Sequence, residues 1–218
     1  DEMLLNGTPV DFVVDSKKHE LRIPNTEIIL KDGIQKIKIS FQTQHQNMSD
    51  PRNIWGSFGE GTRFFEATKT EQERRKQLWA FGEPNGSKFW FPCHDSPDDN
   101  RTTEIKVSVP KGLQALASGA LKTTETGEST TSYTYSSEIE YPAHHTFLVI
   151  GDYTNVQQSF GTIEINNYGY PDEKLGTQES VVRLPDMMKF FSEYTGQVYP
   201  YPSYSQIFVQ DFGGWKPG

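Results

Sequence analysis

A mainly β fold is predicted by two observations. Apolar and polar residues alternating with period 2 are the commonest local signal in the first 150 positions, and turn-forming clusters separate the alternating runs. A third observation sets the last quarter apart: apolar residues take helical spacing there, between two further strand patterns. The expected architecture is an antiparallel β-sandwich or large curved sheet over residues 1–158. The strand–helix–strand of a mixed α/β unit over 159–218 should follow, left incomplete.

The elements follow in chain order. Ile37, Ile39 and Phe41 share one parity, as do Ile105, Val107 and Val109; Tyr133 and Tyr135, then Ile139 and Tyr141, repeat the pattern. Each run should set one face on a core and the other in water. Lys31-Asp32-Gly33, Pro110-Lys111-Gly112 and Thr126-Gly127-Glu128 carry turn chemistry between strands. Thr70–Lys76 is either a short helix, with Thr70 and Glu73 in capping-box spacing, or a solvated loop. The apolar-leaning run His145–Ile150 ends at Gly151-Asp152 and reads as a strand buried on both faces. Ile163 and Ile165 make a further short strand. Met187, Phe190, Phe191 and Tyr194 then fall at i, i+3, i+4 and i+7, with Pro185 near the start of that helix and Gly196 just past its end. Tyr199-Pro-Tyr-Pro202 prevents continuation, and Ile207–Val209 begins a new strand.

Composition excludes several function classes. The 218 residues carry 29 Asp and Glu against 21 Lys and Arg, a formal net charge of −8, without a basic block. That balance argues against nucleic-acid binding, which needs clustered positive charge. Cys93 is the single cysteine, so neither an intrachain disulfide nor a cysteine-based zinc finger can form. The longest apolar stretch, Phe147–Ile150, falls far below the ~20 residues of a membrane-spanning helix. The opening residues lack both an initiator Met and the order of a signal peptide, and the closing residues form a loop-like stub. Both ends read as cut, and the chain is expected to be part of a longer protein.

The chemistry within the chain is sparse. Five histidines occur, His19, His45, His94, His144 and His145, and the zinc-protease spacing His-Glu-x-x-His begun by His19-Glu20 would need histidine where Ile23 stands. On a strand, the adjacent His144 and His145 should point to opposite faces and share no ion. No Gly-x-Ser-x-Gly elbow is present. Cys93, after the aromatic run Phe89-Trp90-Phe91, reads as a buried inert thiol rather than a partner of His94. Asp95, Asp98 and Asp99 lack the glycine and closing Glu of a calcium loop and read as turn residues. Four Asn-x-Ser/Thr sequons stand at Asn6, Asn47, Asn85 and Asn100. No catalytic or metal residue is assigned in this chain.

Two segments carry a resemblance. Leu78-Trp-Ala-Phe-Gly-Glu83, followed by Lys88-Phe-Trp-Phe-Pro-Cys-His-Asp-Ser-Pro97 and Thr103-Glu-Ile-Lys-Val-Ser-Val-Pro-Lys-Gly112, resembles the N-terminal β domain of M1 zinc aminopeptidases, the family of aminopeptidase N and leukotriene A4 hydrolase. Tyr199-Pro-Tyr-Pro-Ser-Tyr-Ser-Gln-Ile-Phe-Val-Gln-Asp-Phe212 looks like the block that precedes the family's Gly-x-Met-Glu-Asn loop, and order and spacing agree from about Ile28 to Phe212.

The resemblance implies a saddle-like β domain over residues 1–158 that covers an active site, and from 159 the beginning of a thermolysin-like catalytic domain. The zinc ligands, His-Glu-x-x-His and a downstream Glu, would lie outside this chain, so zinc is expected only in a full-length protein acting on peptides with a free N-terminus. It also implies that Glu83, matching the acidic end of the family's Gln-Gly-Glu turn, holds the substrate's α-amino group. Phe81 stands where the family usually has Gln, which gives a more apolar wall beside it. His94 and Asp95 look structural, and Gly213–Gly218 departs from the family's usual lead-in. Members of this superfamily also include non-catalytic scaffolds, among them a general transcription initiation factor subunit, and that alternative remains open here.

Overall fold

The computed structural model describes residues 2–15, 17–18, 20–23, 36–42, 61–83, 86–210 and 212. The expected turn at Lys31–Gly33 and the residues His19, His45, Asn47, Asn85 and Gly213–Gly218 lie outside them.

Strands β1 (Glu2–Leu5), β2 (Thr8–Pro9), β3 (Val13–Asp15), β4 (Glu20–Arg22) and β5 (Ile37–Ser40) open the chain. β1 and β2 form a two-residue hairpin through Asn6 (φ 50°) and Gly7 (φ 87°). Two positive φ angles in succession define the mirror-image turn that Asn-Gly favours. β5 pairs antiparallel with the other side of β1, and β3 with β4. Ile37 is exposed and Phe41 lies outside the strand and exposed, so this first alternation covers little core among the described residues.

A four-stranded sheet comprises β6 (Thr62–Phe65), β7 (Gln77–Phe81), β9 (Gln114–Ala117) and β12 (Phe147–Gly151), in the order β6-β7-β12-β9, all antiparallel. β12 has a strand neighbour on each edge, but Phe147, Leu148 and Ile150 are only half-buried beside the buried Val149 and Gly151, which corrects the expectation of a strand buried on both faces. The segment Thr70–Lys76 is loop: Thr68 Oγ1 accepts the Glu71 amide at 3.0 Å, two residues earlier than the expected pair of Thr70 and Glu73.

The longest strands, β8 (Asn100–Pro110) and β11 (Thr130–Pro142), pair antiparallel beside β10 (Ala120–Thr126). β8 alternates half-buried and exposed residues along its whole length, with Ile105 opposite Tyr135 and Val107 opposite Tyr133. The register slips between Ser137 and Tyr141, and Ser137 Oγ donates to Ile139 O at 2.8 Å. Ile139 sits in that irregularity and is exposed, which corrects the expectation that it faces a core.

The last sheet contains β13 (Thr154–Phe160), β14 (Ile163–Gly169) and β15 (Ser203–Ile207). β13 and β14 form a hairpin, and β14 and β15 are parallel. Parallel neighbours require a crossover, supplied by α1 (Lys174–Val181) and α2 (Leu184–Thr195). α2 carries Pro185 in its first turn and ends at Gly196 with φ 69°, the left-handed residue that terminates a helix. β15 occupies Ser203–Ile207, four residues before the expected Ile207 start, because its pairing with Glu164–Tyr168 begins there. The mainly β character is thus observed, with strands distributed among several sheets of two to four. The central core, Phe65, Trp79, Leu116, Val149 and Tyr153, packs against Tyr168 and Ile207 of the last sheet and against Tyr170 and Val209 just beyond its strands.

Candidate functional site

β7 ends at Phe81, where the period of 2 sets Trp79 and Phe81 on one face, and Glu83 stands in the turn that follows. Trp79 is 4% exposed, Phe81 half-buried and Glu83 exposed. Between the last two, Gly82 leaves no room for a side chain: a Cβ there would lie 2.0 Å from Ser87 Oγ and 2.9 Å from the Cα of His144. Gly82 O accepts the Gly86 amide at 2.6 Å, and the fully buried Ser87 donates to Ala143 O at 2.8 Å. The turn bearing Glu83 is therefore clamped onto the 142–146 segment.

Phe81 borders a cleft of about 390 Å³ whose other walls include Phe147, Val149, Ile207, Val209 and Phe212. The Phe81 and Phe212 ring centroids are 6.1 Å apart, and Trp79 and Phe212 are 5.8 Å apart. Among the described residues this lining contains no charged side chain. It is suited to an apolar group, with Glu83 two residues further along the chain.

A polar cluster that sequence reading missed lies beneath this cleft. Gln77, 2% exposed, accepts the Gln210 amide at 2.8 Å on Oε1 and donates through Nε2 to the hydroxyls of Tyr153 and, at 3.1 Å, Tyr170. Tyr153 in turn donates to Phe208 O at 2.9 Å, and Trp79 Nε1 donates to Gln210 O at 3.0 Å. Burial, with Tyr170 nearby, pushes the Tyr153 phenol far up, so it stays a neutral donor. Arg75 stacks over Tyr170 at 4.2 Å and pairs with Asp172 and Glu173 at 2.6 Å each. These contacts lift the Arg75 guanidinium further and hold the Asp172 carboxyl below its ordinary range. Two glutamines in β-like runs carry no motif that announces such a role.

The loop after the turn is structural in character. Cys93 is half-buried, and desolvation, helped by Asp95, pushes its thiol up to about 11. Asp95 Oδ2 accepts the Lys88 amide at 3.3 Å, Ser96 donates to Asp98, and Arg101 pairs with Asp99 at 3.0 Å. The three aspartates therefore act within the turn. His94 Nδ1 lies 3.8 Å from Asp99. His144 and His145 are not on a strand: Pro142 starts a single 3-10 turn, Ala143–His145, and their rings meet edge to face at 4.3 Å. The expectation of opposite faces is thereby corrected. Among the described residues no three His, Cys, Asp or Glu converge on a point where a metal ion would sit, so no step of a zinc reaction is derived from this chain. No helix among the described residues is long and apolar enough to cross a membrane.

The fold is a set of mainly antiparallel sheets followed by a strand–helix–strand finish in which β14 and β15 run parallel. The chain belongs to the M1 peptidase family: the model of the Peptidase M1 N-terminal domain matches residues 1–144. Among relatives, it is 24% identical over 153 residues to glutamyl aminopeptidase of Rattus norvegicus, covering 69% of this chain and 16% of that protein. It is 34% identical over 118 residues to leucine aminopeptidase 2 of Sclerotinia sclerotiorum, covering 51% and 18%. It is 24% identical over 141 residues to transcription initiation factor TFIID subunit 2 of Danio rerio, covering 64% and 12%. The fold is shared with a two-domain M1 zinc metallopeptidase bound to L-tryptophan, at TM-score 0.68 and 18% identity, over 94% of this chain and 45% of that one. An M1 zinc metallopeptidase of Deinococcus radiodurans aligns at TM-score 0.65 and 18% identity, with the same coverage. The chain thus spans less than a fifth of these curated relatives and under half of these solved chains.

Proposed function

We propose that this chain is the substrate-facing N-terminal part of a zinc aminopeptidase that removes N-terminal residues from peptides. Residues 1–158 form its β domain, saddle-like and capping the active site, and residues 159–218 begin the catalytic domain. The division falls within the β13 strand. Zinc is bound elsewhere in the whole protein. The observation that carries the reading is the exposed Glu83 carboxylate on a turn clamped by Gly82, at the end of the strand bearing Phe81, in a chain of the M1 family. Glu83 receives the substrate's ammonium in a charge-assisted hydrogen bond, and Phe81 walls the adjoining apolar space.

The test is Glu83→Ala in the full-length protein. One lost hydrogen bond to a charged group lowers kcat/KM by about 10- to 100-fold. An unchanged kcat/KM removes the role of Glu83, and a full-length wild-type protein without aminopeptidase activity overturns the enzyme reading.

A second reading, a non-catalytic M1-like scaffold, is favoured by the similarity to the TFIID subunit at the same 24% identity as the rat aminopeptidase. Translation of the parent gene separates the two: His-Glu-x-x-His downstream supports the enzyme, and its absence the scaffold.

A further inference from the structure

The residues that follow β15 are held by more hydrogen bonds than their place outside any strand requires. Phe208 N donates to Tyr168 O at 3.0 Å, and Phe208 O accepts from Tyr153. Gln210 has every polar group engaged. Its N donates to Gln77 Oε1 and its O accepts from Trp79; its Oε1 accepts the Arg75 amide at 3.0 Å and its Nε2 donates to Arg75 O at 2.9 Å. The side-chain amide thus imitates a strand residue added beside Arg75, just before β7 begins. Phe208 and Val209, between these anchors, form one wall of the cleft, and Phe81 borders it from β7.

We propose that Gln210 is a positioning residue: through Arg75 and Gln77 it holds Phe208–Gln210 at one distance from β7 and so sets the width of the apolar cleft beside Phe81. Its effect on turnover rests on the reading that Phe81 and Glu83 face the substrate; its effect on the segment does not. Gln77 and Arg75 are fixed independently of Gln210, Gln77 by two tyrosines and Arg75 by Asp172 and Glu173. Loss of the Gln210 side chain should therefore detach the segment from Arg75 and loosen it on its remaining main-chain bonds, and leave the sheet.

The experiment has two arms. In the 218-residue chain, Gln210→Met keeps the length and removes both side-chain hydrogen bonds. Amide exchange at Phe208 and Gln210 should quicken about tenfold, the worth of one or two such bonds, while Val149 and Ile150 exchange as before. Gln210→Glu retains an acceptor for the Arg75 amide and should fall between. In the full-length protein, Gln210→Met should raise KM for an apolar N-terminal residue by about tenfold with kcat within about twofold. Unchanged protection at Phe208 and Gln210 overturns the proposal, as does an equal loss of protection throughout β12. An unchanged KM beside a released segment overturns the link to the cleft. A wild-type protein without peptidase activity sinks the aminopeptidase reading and leaves the exchange arm to decide this one.

Discussion

The side-chain amide of Gln210 pairs with both backbone groups of Arg75, at 3.0 and 2.9 Å, although 135 positions separate them. Arg75 then reaches on to Asp172 and Glu173. One residue of a loop before β7 thereby connects the segment after β15 to the turn that opens the helical crossover. The consequences can be measured.

The pairing of Arg75 with Asp172 is sensitive to pH. The Arg75 hydrogen bond holds the Asp172 carboxyl below its ordinary value of 3.8. A depressed folded value means that the contribution is present above the unfolded value and is lost as pH falls through the folded one. The Tm difference between wild type and Asp172→Asn should be small but constant from pH 5 to 7 and shrink below about pH 4. Thermal melts across that range check it, and a gap that widens in acid contradicts it.

Gly82 admits no side chain. Gly82→Ala should destabilise the chain by about 1–3 kcal/mol, the usual cost of overpacking. Adding Ser87→Ala removes the 2.0 Å contact but not the one to the His144 backbone, so the double variant should recover only part of the loss. Urea unfolding of the two variants measures the difference.

The Cys93 thiol, pushed up to about 11, should be about one thousandth thiolate at pH 8. Alkylation by iodoacetamide should be slow in the folded chain and rise by two orders of magnitude or more in urea, once burial is lifted. Mass spectrometry of timed samples reads the rate.

The outer face of α2 bears Met187, Phe190, Phe191 and Tyr194, each more than half exposed, with Phe190 and Tyr194 stacked at 5.9 Å. Such a patch favours association. Light-scattering mass of the isolated chain should rise with concentration, and Phe191→Glu should flatten that rise.

Much of this architecture was legible because it is local. Ile105, Val107 and Val109 announced β8 by alternation, and Pro185 and Gly196 bracketed α2 as capping chemistry demands. What escaped reading depends on distant partners. α1, with the sequence KLGTQESV, has almost no apolar stripe; its Thr177 is buried because Gly169 lets the helix approach β14. Ile139 kept its parity in sequence but lost its face to a register slip visible only across the β8–β11 pair. The Asn6-Gly7 hairpin has a local signature, but the same residues also open a glycosylation sequon, Asn6-Gly7-Thr8, and the sequon masks the turn. At the site, Phe81 and Glu83 were reached through resemblance, whereas Gln77 and Gln210 matter through contacts more than 70 positions apart.

The parallel partnership of β14 and β15 has a kinetic consequence. β13 and β14 meet across the short turn at Gly161 and Thr162, but β15 reaches its neighbour only after residues 170–202 have wound through two helices. Closing so long an excursion is entropically slow beside closing a hairpin. On refolding, the Ile165 amide should therefore be shielded in the first phase, with Tyr204 and Gln206 lagging until the crossover has docked.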